Sequence, residues 1–144
     1  MSRPINLVRY LVVSILGGVA GCGGPAYEFA PVEGKVTLNG KPLAGVIVKF
    51  YPDSESTTQL PYATGTTDEA GEFRLSVSAK QPGALVGPNI AVVSWPVRDR
   101  ANPPPVPDAP IPVRYRDVTA SPFRFEVKPG PGQTIDLPMD DTIQ

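Results

Sequence analysis

Val32, Gly34, Val36 and Leu38 fall on one side of an extended chain, and Glu33, Lys35 and Thr37 fall on the other. That period-two alternation is the mark of a half-buried strand. Asn39-Gly40 follows, a dipeptide that accepts positive φ at both turn positions and so predicts a tight hairpin. Lys41 to Gly45 extends the connection, after which Val46, Val48 and Phe50 alternate with Ile47, Lys49 and Tyr51. Pro52 ends this run because it has no N–H for a ladder. Beyond a polar loop at 53–61, residues 64–67 lead into Asp68-Glu69-Ala70-Gly71. There Asp68 can bond its own backbone and Gly71 can take left-handed φ. Residues 72–77 complete a second hairpin, with Phe73, Leu75 and Val77 inward and Glu72, Arg74 and Ser76 outward.

The pattern continues past a loop at 80–88 that holds Pro82-Gly83 and Gly87-Pro88. In 89–95, Ile90 and Val92 alternate with Ala91, Val93 and Trp95, so both faces are apolar, as in a central, covered strand. Trp95 is read as a core or edge-of-core residue, with an exposed stacking platform as the functional alternative. The run PVRDRANPPPVPDAPIP at 96–112 cannot sustain a helix or a central strand and predicts an extended, stiff cross-over loop, with a proline-rich recognition ligand as the alternative. Residues 113–117 read as a short strand or turn. Phe123, Phe125 and Val127 then alternate with Arg124, Glu126 and Lys128, and Pro129-Gly130-Pro131-Gly132 turns the chain toward inward-pointing Ile135 and Leu137. About seven strands and no amphipathic helix beyond Cys22 predict an all-β antiparallel sandwich. Its expected bounds are 31–138, after a tether at 22–30 carrying Tyr27 and Phe29 and before an acidic tail at 139–144.

The first 21 residues differ in kind. Arg3 and Arg9 are basic, Leu11 to Leu16 is apolar, and Gly17 to Gly21 is small, the layout of an export signal. The apolar run falls short of the ~20 residues needed to span a bilayer. Val19-Ala20-Gly21-Cys22 resembles the lipobox of bacterial lipoproteins. The resemblance implies cleavage before Cys22, lipidation of its thiol (palmitate among the acyl groups) and a membrane anchor. Gly23, where Asp would favour the inner membrane, implies the outer membrane or cell surface. Cleavage removes 21 of 144 residues and leaves 123, with 13 basic side chains less Arg3 and Arg9 giving 11 against 14 acidic ones. A net charge of about −3 lacks the basic stripe that nucleic-acid binding needs. Cys22 is the one cysteine, so no internal disulfide forms, but a domain of this size buries enough surface to fold without one.

Residues 32–77 carry G-K-V-x-x-N-G-K-P-L-x-G-V-x-V-x-F from Gly34 to Phe50 and T-D-x-x-G-x-F from Thr67 to Phe73. This pattern resembles carboxypeptidase-regulatory-like domains. The resemblance implies a transthyretin-like, Greek-key sandwich of about seven strands. An Ile-Pro-x-x-Tyr segment, Ile111 to Tyr115, is similar to one in small bacterial lipoproteins with a single such domain. The later strands depart from the family, with Gly87-Pro88-Asn89-Ile90 replacing the usual Gly-x-Tyr approach.

Chemistry adds little. The chain has no histidine, so Ser-His-Asp, Cys-His and His-ligated metal sites are excluded. Hydroxyisourate hydrolases share the transthyretin fold but use histidines and a C-terminal Tyr-Arg-Gly-Ser. Tyr115-Arg116-Asp117 matches two of those residues in mid-chain, so that activity is rejected and no catalytic, cofactor or metal site is expected. Asp68, Glu69 and Glu72 cluster at a turn. A calcium site from them is the alternative, without the spaced ligands of a dedicated loop. Arg98, Arg100, Arg114, Arg116 and Arg124 are interleaved with Asp99, Asp117 and Glu126, as on a solvated face with rim pairs. Two functions are expected of such a chain. The first is a membrane-anchored, non-enzymatic module of the cell envelope that serves structure or protein interaction. The second is a carbohydrate-binding module, for which the ligand-facing candidates are Tyr51, Tyr62, Trp95 and Tyr115.

Overall fold

The computed structural model describes residues 26–55, 59–97, 101 and 110–142. The signal segment, Cys22 and most of the proline-rich run lie outside the described residues.

The chain folds as an all-β protein in which most strand pairs are antiparallel. It opens with β1 (Phe29–Ala30), β2 (Val32–Leu38) and β3 (Lys41–Pro42), followed by β4 (Ile47–Pro52) and β5 (Ala63–Thr66). Next come β6 (Glu72–Arg74), β7 (Ser76–Ser78), β8 (Gln81–Pro82), β9 (Ala84–Leu85) and β10 (Gly87–Ser94). A helical turn, α1 (Val113–Arg116), precedes β11 (Arg124–Val127), β12 (Gln133–Thr134) and β13 (Leu137–Met139). Six strands form one antiparallel sheet in the order β11-β10-β4-β5-β7-β8. A smaller sheet surrounds β2, and β1 pairs with β9 as a separate ribbon.

Asn39 and Gly40 take φ of 52° and 79°, the doubly positive turn expected of this dipeptide. The hairpin is short. β3 pairs with β2 only at Thr37↔Pro42 and Leu38↔Lys41, and the chain then crosses to the other sheet, where β4 pairs with β5 and β10. Thr67 fixes this corner: its hydroxyl donates to the Leu43 carbonyl at 2.7 Å and accepts the Val46 N–H at 3.0 Å. At the second turn the Asp68 carboxylate accepts the N–H groups of Ala70 and Glu72, both at 2.9 Å, and Gly71 has φ 75°. The strand after it changes sheets, since β6 pairs with β2 and β7 with β5.

Such switches account for thirteen strand segments among the described residues in place of about seven. An extended run that leaves one partner for another is divided at the crossing. Four further expectations are corrected. β12 and β13 run parallel to β2, at Gln133↔Val32 and Leu137↔Val36, so the smaller sheet is mixed. A chain that changes sheets, as this one does after β11, can enter beside a strand in either direction, whereas a tight hairpin forces antiparallel pairing. Gly34 makes this entry sterically feasible, because a Cβ there would overlap the Ile135 carbonyl. Residues 113–116 are helical, not extended: Pro112 (φ −56°) sets the entry, and its carbonyl accepts the Tyr115 N–H at 3.1 Å. The domain also reaches beyond 31–138 at both ends. Phe29 and Ala30, assigned to the tether, form β1, and Ala30 is fully buried. Met139, assigned to the tail, lies in β13 and is buried.

The core lies where the alternation puts it. Val32, Val36 and Leu38 of β2, Phe73 of β6, and Leu137 and Met139 of β13 join one cluster with Val48 and Phe50 of β4 and Ala91 and Val93 of β10. Phe125 is half-buried and stacks on Phe50 with ring centroids 6.1 Å apart. Phe123 continues from it at 6.2 Å and Tyr115 from Phe123 at 5.2 Å, so a file of four rings links α1 to the core at favourable spacings. Ile90 and Val92 are buried too, yet lie outside that cluster, which makes β10 the strand covered on both faces. No helix among the described residues is long and apolar enough to cross a membrane.

Candidate functional site

The outward side chains of β4 include Lys49 and Tyr51, two residues apart and therefore on one face. β5 pairs with β4 at Phe50↔Ala63 and Lys49↔Thr64, and extending that register places Tyr62 opposite Tyr51. The two rings meet with centroids 5.1 Å apart at 31°. Tyr62 is 43% exposed, Tyr51 is half-exposed, and the Lys49 ammonium stands 5.9 Å from the Tyr62 centroid. Lys49 makes no ion pair among the described residues. Nearby, Arg124 donates to the Asp53 carboxylate at 2.7 Å. Two tyrosine rings beside a cation are groups of the kind that can stack on a ring and attract an anionic or polar substituent.

The structure brings together only two of the four aromatic residues expected to face a ligand. Tyr115 is buried: it stacks on Phe123, its hydroxyl accepts the Asp140 N–H at 3.2 Å, and the Arg114 guanidinium covers its ring at 4.7 Å. Its place is structural, because a buried tyrosine needs a partner for its hydroxyl and this one has found it. Trp95 is half-buried against the core, and its indole N–H is shielded with no hydrogen-bond partner among the described residues. It offers no N–H to a ligand. Lys49 was not foreseen as part of a site. Its signal was its position two residues before Tyr51, but the cross-strand neighbour that completes the platform cannot be read from one strand.

Elsewhere several charged groups are paired or engaged in turns. Two open grooves of about 680 and 640 Å³ flank Glu33 and Arg74, which pair with each other at 3.3 Å, both well exposed. Asp136 accepts the Lys35 N–H at 3.0 Å. No group of three metal-binding side chains occurs among the described residues, and the Asp68 carboxylate is engaged by its own turn. Asp117 is held below the usual carboxylate value by the hydroxyl and amide of Thr119. Asp140 is lowered likewise, first by the Thr142 hydroxyl and then by the charge of Arg114.

No family model, curated protein or solved structure matches the chain.

Proposed function

We propose that this is a membrane-anchored, non-enzymatic β-sandwich lipoprotein of the cell envelope, acting as a structural or protein-interaction module. The supporting observation is the place where the fold begins. β1 starts at Phe29, seven residues beyond the lipobox cysteine, so an anchor on Cys22 passes almost directly into the sandwich. Gly23 favours the outer membrane or cell surface. Metabolic labelling with a fatty acid tests the anchor: the wild type takes up label, and Cys22→Ser does not and accumulates as uncleaved precursor. An unlabelled wild type refutes the reading. Pull-down from envelope extract with the acylated protein then tests for protein partners.

The Tyr51–Tyr62 pair beside Lys49 favours a second reading, a carbohydrate-binding module that uses this platform. A glycan array decides between the two. Binding that is lost in Tyr62→Ala with the fold intact supports the sugar reading, and an array without any bound glycan removes it.

A further inference from the structure

We infer that the β1 end of the sandwich rests on the bilayer, with Tyr27 and Phe29 in its interfacial layer and β10 pointing away from the membrane. This rests on the lipid-anchor reading. Cys22 and Tyr27 are five residues apart, a span of at most about 18 Å even when fully extended. An acylated Cys22 therefore leaves little room for the domain to stand off from the surface.

The residues that meet the surface first are aromatic. Tyr27 is 37% exposed and packs edge-on against Phe29 with centroids 6.4 Å apart. A tyrosine ring with an apolar body and a polar tip suits the boundary between acyl chains and headgroups. The pair belongs to the folded body and not to a loose arm. Phe29 pairs with Leu85 across the β1–β9 ribbon, and the Val86 N–H donates to the Glu28 carbonyl at 2.9 Å. Beside β1 the rim carries Pro31, Pro82, Pro131 and Gly132 together with the exposed Glu33–Arg74 ion pair, and Glu28 is exposed at the same end.

The same topology fixes the far end. β10 leaves at Gly87, two residues beyond β9, and runs for 8 residues to Ser94, about 26 Å at the usual rise per strand residue. Trp95 follows, so the chain's one tryptophan reports on the end opposite Tyr27.

The test uses full-length acylated protein in vesicles of phosphatidylethanolamine and phosphatidylglycerol, with part of the lipid brominated along its acyl chains. Mass spectrometry of the same sample reads the acyl group on Cys22. Wild-type fluorescence reports position 95, and Tyr27→Trp combined with Trp95→Phe reports position 27. Should the double variant misfold, Tyr27→Trp minus wild type gives the same information. The expected result is an acylated protein whose indole at position 27 is quenched more than twofold while Trp95 is unchanged. Acylated protein with position 27 unquenched, or with both positions quenched alike, overturns the orientation and leaves the anchor standing. Protein without an acyl group overturns the anchor and the orientation with it.

Discussion

Arg114 holds Asp140 at 2.6 Å, and the same guanidinium donates to the carbonyls of Asp140 and Thr142, each at 2.7 Å. One side chain of α1 thus clasps the segment after β13, and the buried hydroxyl of its neighbour Tyr115 takes the Asp140 N–H. Residues expected to form an acidic tail are bound through the one element expected to be a short strand or turn.

This clasp has a sign with pH. The Asp140 and Asp117 carboxyls lie below their ordinary value of 3.8 in the folded protein. A depressed folded-state value means that their contribution to stability is present above 3.8 and is lost as pH falls through the lower folded-state values. Carboxyl NMR titration should give Asp140 a midpoint below 3.8, with Thr142→Ala and Arg114→Met each raising it. A wild-type midpoint at or above 3.8 means that the clasp does not form in solution.

Phe73 is 2% exposed and lies in the main cluster. Phe73→Ala should cost about 3–5 kcal/mol, the usual loss for deleting a buried aromatic ring. Urea unfolding measures it, and a loss under 1 kcal/mol would place the ring outside the core.

Thr67 is 4% exposed, and its hydroxyl serves one donor and one acceptor at the corner between the sheets. Thr67→Val keeps the shape but strands both groups, for a cost of about 1–3 kcal/mol. Thr67→Ser should retain most of the stability. A loss in Thr67→Ser with none in Thr67→Val would show that the methyl group, not the hydroxyl, matters.

At Gly40 nothing crowds an added side chain, so its positive φ alone opposes substitution. Gly40→Val should destabilise by about 1–2 kcal/mol, the scale of backbone strain at one residue. An unchanged urea midpoint would move the turn elsewhere.

What the sequence disclosed was facing. Alternation placed Val36, Phe50, Phe73, Leu75 and Val127 inward, and each is buried, because a one-residue slip would turn a whole strand inside out. Partnership was less legible. Val46 to Phe50 comes soon after the Asn39-Gly40 turn in sequence, yet β4 pairs with β5 and β10 across the sandwich. Alternation specifies a face and is silent about the neighbour. Residues 113–116 make barely one turn, too few to show helical periodicity, and the Arg114 contacts that hold them come from residues 140–142. Of the platform, Tyr51 and Tyr62 were visible as exposed aromatics, but their pairing and the role of Lys49 depend on register. Met139 was masked by the acidic residues that follow it.

The parallel seating of β12 and β13 against β2 bears on when this protein can fold. Lys35 and Asp136, bonded across that seam, are 101 residues apart, so the first long strand stays without its flank until nearly the whole chain is available. Closing so long a loop is entropically costly and is expected to slow folding relative to a hairpin-built sandwich. The sheet around β2 is completed only once β12 and β13 are available to pair with it. Until then Val36 and Leu38 would lie along an open edge, and that interval is when the domain is most prone to aggregation or to capture by another strand.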